Sequence, residues 1–199
     1  MKGGCFVLEA KGFSVMVLAG GKSSRMGQDK ALLAWEQGNM LGSVLTRLLS
    51  LSDDVFVSTN IERKVPQGVT QIRDVIPGKG PLSGIHAGLL CARHDLVVVT
   101  SCDMPFLKPE LIYPIVHSVK NADGSVAVYK GRLEPLFACY RKNCRAIIEQ
   151  LLAEENYSVR NFLNHINWVA VQQVEDCSFM NVNTYKDYEE AKARLAKGR

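Results

Sequence analysis

A chain of 199 residues can bury a core of its own without metals or disulfides, and it is short enough that one domain is the expectation. Its 47% hydrophobic and 22% charged residues are ordinary for a globular protein, and no apolar run is long enough to cross a bilayer. The formal net charge of +4 suits an anionic ligand; the basic residues are dispersed and do not alternate with aromatics, which argues against a nucleic-acid platform.

The opening MKGGCFVLEAKG has a lysine near its start, a very short apolar patch and a glutamate, too little for a secretory signal. Residues 1–12 are read as a leader segment and 13–199 as a single domain. Cys5, Cys91, Cys102, Cys139, Cys144 and Cys177 are scattered with no C-x-x-C pair. His86, His94, His117 and His165 form no zinc-like cluster with them. Reduced thiols buried as small hydrophobes in a cytoplasmic protein are expected.

Phe13 to Ala19 is a nearly continuous apolar run, as in a strand buried on both faces near the centre of a parallel sheet. It feeds a turn that holds Gly20, Gly21, Lys22, Arg25 and Lys30. Glycines let backbone N–H groups approach a ligand closely, and spaced cations neutralise its charge, so the turn is read as a phosphate binder. It is not a Walker A loop, because Met16 stands where the first glycine is required. Nor is it a dinucleotide-binding G-x-G-x-x-G turn, because Gly27 follows the paired glycines at the wrong offset.

Leu41, Val44, Leu45, Leu48 and Leu49 recur at helical spacing, and Val55 to Ser58 reads as a strand, completing a βαβ unit. Another strand is predicted near Thr70 to Arg73, then a loop at Pro77 to Pro81 and a helix marked by Ile85, Gly88, Leu89 and Ala92. His86 is read as a residue of that helix's face. Asp95 to Ser101 is a second apolar strand. Leu111, Ile112, Ile115, Val116 and Val119 predict a helix with Pro109 in its first turn and a kink at Pro114. Ser125 to Tyr129 and Leu133 to Tyr140 read as strands around Lys130-Gly131-Arg132, followed by a helix over Cys144 to Leu152 and a strand over Trp168 to Gln172. Thr184 and Asp187 form a capping box for a last helix running through Leu195.

This alternation predicts a three-layer α/β domain with a mostly parallel central sheet and a mixed C-terminal portion. Ligands bind such sheets at the carboxyl ends of the strands. Those ends carry Leu18 to Gly21, Asn60, Asp74 and Ser101-Cys102-Asp103. Asp103, directly after a buried strand, suits Mg²⁺ held against a triphosphate; the competing reading makes it a cap for the turn at Pro105. Arg25 and Lys30 would meet the β- and γ-phosphates and offset charge on departing pyrophosphate. Lys22 has only its loop position in favour of a role.

Four segments in order, LAGGKSSRMGQDK from Leu18, GPLSG over Gly80 to Gly84, CDMPF over Cys102 to Phe106 and NVNT over Asn181 to Thr184, resemble the molybdenum cofactor guanylyltransferases. These belong to the nucleotidyltransferases with a Rossmann-like fold. The resemblance covers about Ser14 to Leu195 and departs from the family at Tyr185, where a proline is common.

The resemblance implies transfer of GMP from Mg-GTP to the terminal phosphate of molybdenum-bound molybdopterin, with release of pyrophosphate. By similarity, Leu18, Ala19, Gly20 and Gly21 would touch the nucleotide, Lys30 its phosphates, and Asn60 and Asp74 the nucleoside. Asp103 would bind nucleotide and Mg²⁺, the Gly80 to Gly84 loop with Pro81 would lie near the base, and Asn181 and Asn183 would line the acceptor side. The implied partners are GTP, molybdenum-molybdopterin and cofactor-insertion or chaperone proteins, with neither nucleic acid nor membrane. The alternatives are a cytidylyltransferase acting on molybdopterin, a sugar-1-phosphate nucleotidyltransferase and a non-catalytic nucleotide-binding regulator. The paired glycines of LAGG and the GPLSG segment favour guanine over cytosine.

Overall fold

A computed structural model describes residues 12–20, 29–173 and 177–198. Gly21, Lys22, Arg25 and Cys5, all named above, lie outside the described residues.

The first strand, β1 (Phe13–Leu18), is buried throughout, as its apolar run requires. A two-stranded ribbon of β2 (Ala34–Trp35) and β3 (Gly38–Asn39) leads into α1 (Met40–Leu48), whose N-terminus is capped by the Asn39 side chain accepting from the Gly42 N–H. Then follow β4 (Val55–Ser58), β5 (Val69–Ile72), α2 (Pro81–Cys91), β6 (Leu96–Ser101) and α3 (Ile112–Ser118). The C-terminal part holds β7 (Gly124–Tyr129), β8 (Arg132–Arg141), α4 (Cys144–Ala153), α5 (Val159–Leu163), β9 (Trp168–Gln172) and α6 (Tyr185–Lys197).

Seven strands form one sheet in the order β5-β4-β1-β6-β8-β7-β9. All neighbours pair in parallel except β8, which runs antiparallel to both β6 and β7. The predicted mixed portion is this one reversed strand. The period of two along β1 divides the core. Phe13, Val15 and Val17 pack with α1 and α3 on one face, while Met16 and Leu18 pack with α2, α4 and α5 on the other. These are the three layers expected. A smaller cluster of Trp35, Met40, Val182, Tyr188 and Ala191 joins α6 to the ribbon, and the Tyr188 hydroxyl donates to the Ala34 carbonyl at 2.7 Å.

Some expectations change. Pro114 does not kink its helix: a 3₁₀ turn over Pro109–Leu111 precedes α3, so Pro114 falls in the first turn, where no N–H is owed to an earlier carbonyl. The segment Gly80 to Gly84 is not a loop. Only Gly80 precedes the helix, as its N-cap at φ +82°, and Pro81 to Gly84 are the first turn of α2. The ribbon and α5 were not anticipated.

β8 also begins earlier, at Arg132, and carries an irregularity. Its register with β7 jumps from Val126 opposite Ala138 to Ala127 opposite Glu134, leaving Pro135, Leu136 and Phe137 without counterparts. Pro135 lacks an N–H for the ladder, which accounts for a bulge at this place. β8 is paired with β6 only as far as Val99 and Ala138, so the sheet forks at the carboxyl end of β6.

Candidate functional site

The carboxyl ends of β1, β4, β5 and β6 meet on one edge, and the connections from β1 leave to β4 on one side while β6 flanks the other. The crevice at such a reversal is the usual ligand position in open α/β sheets. Leu18 and Ala19 are buried there: the Leu18 carbonyl accepts from Cys102 N–H at 3.1 Å, and Ala19 N–H donates to the Ser58 carbonyl at 2.9 Å. Gly20 is exposed, with open space where a Cβ would stand.

Across the β1–β6 crevice, Lys30 Nζ donates to Asn183 Oδ1 at 2.8 Å and lies 3.6 Å from Asp103 Oδ2. The Lys30 and Asp103 side chains are each 21% exposed, so the pair is partly shielded yet open to a ligand. Asn183 is brought here by the turn before α6. Val182 N–H donates to the Asp103 carbonyl at 2.8 Å, and Asp187 Oδ2 accepts from both Asn183 and Thr184 N–H in the expected capping box. Asn183 therefore stands with the phosphate and metal candidates; its neighbour Asn181 is half-buried in the same turn.

A second cluster forms where β4 and β5 end. Asn60 Nδ2 donates to Asp74 Oδ2 at 2.9 Å, and Asp74 N–H returns a bond to Asn60 Oδ1 at 3.2 Å. Ser58 Oγ donates to the other Asp74 oxygen at 2.5 Å. α2 starts beside them: a Cβ on Gly84 would stand 2.7 Å from Leu18 Cδ2 and 3.3 Å from Asp74 Oδ1, so glycine is what lets the helix approach. Ser83 Oγ donates to the Ile76 carbonyl and accepts from Ile76 N–H, tying the Pro77 to Gly80 loop to the helix.

Glu134 was not anticipated. At the fork beside the β8 bulge it is half-buried, and burial together with the charge of Asp103 raises its carboxyl above the usual value; Arg132 and Arg160 pull it back. The readable signal was Pro135 inside an otherwise central strand. Next to it lies a cavity of about 520 Å³ lined by Arg132, Arg160, Asn161 and Trp168.

Three of the described thiols are held protonated by their surroundings. Burial, reinforced by Asp103, pushes the Cys102 thiol up to about 12, and Cys139 and Cys144 reach about 12 through burial. The five described cysteines are all free. His86 is buried between helices, with Nε2 3.1 Å from Glu149 Oε1 of α4. No group of three or more His, Cys, Asp and Glu among the described residues makes a metal cage. No helix among the described residues is long and apolar enough to cross a membrane.

The family model of the MobA-like NTP transferase domain matches residues 15–173. The chain belongs to this family. It is 35% identical to a probable molybdenum cofactor guanylyltransferase of Pelotomaculum thermopropionicum, over 97% of each chain. It is 33% identical to a protein of the same name from Carboxydothermus hydrogenoformans, over 88% of this chain and 93% of that one. A crystal structure of molybdopterin-guanine dinucleotide biosynthesis protein A from Archaeoglobus fulgidus shares the fold, with a TM-score of 0.80 at 24% identity, covering 92% of this chain and 99% of that one. The MobA-like domain is thus a nucleotidyltransferase, and the Rossmann-like fold that the sequence resemblance implied is the fold observed.

Proposed function

We propose that this chain transfers GMP from Mg-GTP to the terminal phosphate of molybdenum-bound molybdopterin, in the cytoplasm, forming the guanine dinucleotide cofactor. A phosphate oxygen of the acceptor attacks the α-phosphorus of GTP, the bond to the bridging α–β oxygen breaks, and pyrophosphate leaves with that electron pair. The observation that carries the reading is the Lys30–Asn183–Asp103 cluster across the β1–β6 crevice, in a chain whose relatives bear the guanylyltransferase name.

The acceptor phosphate is ionised at neutral pH, so the reaction asks for positioning and charge neutralisation rather than a strong base. This agrees with His86, the histidine of α2, being buried and engaged by Glu149. Lys30 would hold the phosphates from β1's side, joined by Arg25 from the turn. Leu18, Ala19 and Gly20 with Gly21 would line the nucleotide, Asn60 and Asp74 the nucleoside. The base would face Gly80 and Pro81, where the first turn of α2 has no side-chain cap among the described residues and its N–H groups after Pro81 suit the oxygen of guanine. Asn181 and Asn183 would line the acceptor side, and the cavity holding Arg132 and Arg160 would suit an anionic acceptor.

Mg²⁺ fits these residues. Asp103 and Glu134 repel each other's charge, and burial discourages Glu134 from ionising, so a divalent cation between protein and phosphate relieves both. Two carboxylates without a cage are what Mg²⁺ takes when it shares its shell with phosphates and water. Bound there, the ion would stabilise charge on the departing pyrophosphate.

Thermal shifts with Mg²⁺ test the base. GTP should raise the melting temperature more than CTP at equal concentration; a larger shift with CTP contradicts the guanine reading.

A further inference from the structure

Arg63 follows β4 in a run, Ile61-Glu62-Arg63-Lys64, that reads as surface loop, yet its side chain is 5% exposed. Its N–H donates to Gln71 Oε1 at 3.0 Å, and Gln71 Nε2 donates to the Ile61 carbonyl at 3.1 Å, fastening the segment to β5. From this base the guanidinium reaches the phosphate turn. Nε donates to Thr59 Oγ1 at 3.0 Å, while Nη2 donates to the Ala19 carbonyl at 3.3 Å and to Asp29 Oδ2 at 2.7 Å.

Ala19 ends β1's buried run and Asp29 begins the segment that carries Lys30, so one nitrogen holds the two together. The other Asp29 oxygen accepts from Ala31 N–H at 3.1 Å and caps the 3₁₀ turn Lys30–Leu32. One carboxylate therefore links Arg63 to the residue whose ammonium meets Asn183 and Asp103. Nη1 is buried with no hydrogen-bond partner among the described residues. A guanidinium this buried is tolerated because Asp29 pairs it, and only a planar fork with several donors can satisfy this set of acceptors at once.

We propose that Arg63 is the positioning residue of the site: through Asp29 it sets Lys30 against Asp103. The proposal rests on reading Lys30 and Asp103 as the nucleotidyl-transfer site, and its test separates the two.

The Lys30–Ala31 bond is itself a trypsin substrate. In Arg63→Gln and in Asp29→Asn, cleavage after Lys30 should rise about tenfold, as local anchoring is lost, while cleavage after Arg47 in α1 and Arg145 in α4 stays unchanged. Asp29→Asn keeps an oxygen for the Ala31 cap and reports even where Arg63→Gln does not fold. In pyrophosphate release from Mg-GTP with molybdenum-bound molybdopterin as acceptor, kcat should fall about 10- to 100-fold in each single variant with KM for Mg-GTP within about threefold, and the double variant should fall no further than the worse single one. Unchanged cleavage after Lys30, equal acceleration at all three bonds, or losses that multiply in the double variant would overturn the proposal. If the unaltered chain releases no pyrophosphate from Mg-GTP with molybdenum-bound molybdopterin present, the functional reading fails while the tryptic pattern still decides the role of Arg63.

Discussion

Lys30 and Asp103 approach to 3.6 Å from opposite sides of the crevice, Lys30 after β1 and Asp103 after β6, with Asn183 bonded to the same ammonium at 2.8 Å. Two strands that are neighbours in the sheet thus bring a cation for phosphate and a carboxylate for metal to one place. Removing the ammonium should cost transition-state stabilisation more than binding. Lys30→Ala is expected to lower kcat about 100-fold with a small change in KM for GTP. Steady-state kinetics check this; an unchanged kcat with a raised KM would assign Lys30 to ground-state binding.

Asp103→Ala should abolish Mg²⁺-dependent transfer while the chain stays folded. The contact from Asp103 to the turn before α6 uses its backbone carbonyl, which the substitution leaves in place. Circular dichroism should be unchanged, and activity with normal metal dependence would reject the metal role.

Glu134→Gln should trade stability against metal use. The folded-state carboxyl is raised, first by burial and then by Asp103, so its ionisation opposes folding. That penalty is absent below the ordinary value of 4.5 and grows as pH rises through the folded pKa. The variant should melt above the unaltered chain at pH 7 and level with it below pH 4.5. Its Mg²⁺ concentration for half-maximal activity should rise several-fold. Melting curves across pH and a metal titration check both halves.

Asp54→Ala should destabilise by about 2 kcal/mol at neutral pH, the scale of lost hydrogen bonds to a charged group. Burial raises the Asp54 carboxyl, but the Arg93 N–H at 2.8 Å, the Ser14 hydroxyl at 2.6 Å and the Arg93 guanidinium outweigh it and lower it below 3.8. A depressed folded pKa contributes stability above the unfolded value, lost as pH falls through the folded one. The two proteins should therefore differ in urea midpoint at pH 7 and converge only below pH 3.8.

How far the molecule could be read in advance follows from the range of each interaction. Val55 to Ser58 and Trp168 to Gln172 emerge at the predicted bounds, because their apolar pattern is local. The two-residue strands of the Ala34–Asn39 ribbon and the five-residue α5 are too short to show a period. Glycines and prolines punctuate chains and so predict a loop over Gly80 to Gly84, whereas Pro81 occupies N1 and Gly84 yields space to Leu18. At the candidate site, strand-end logic singles out Asp103, Asn60 and Asp74, which the fold carries to one edge of the sheet, since it needs only the end of each strand. It could not find Arg63 or pair Asn183 with Lys30, whose bonds span 34 and 153 residues. Glu134 was hidden by the bulge that brings it to the fork.

The central claim is decided by measuring pyrophosphate release with GTP, Mg²⁺ and molybdenum-bound molybdopterin together. The account predicts release that needs all three and yields the guanine dinucleotide cofactor in equal amount. Release with CTP or a sugar 1-phosphate in place of these substrates, and none with GTP and molybdopterin, would contradict it.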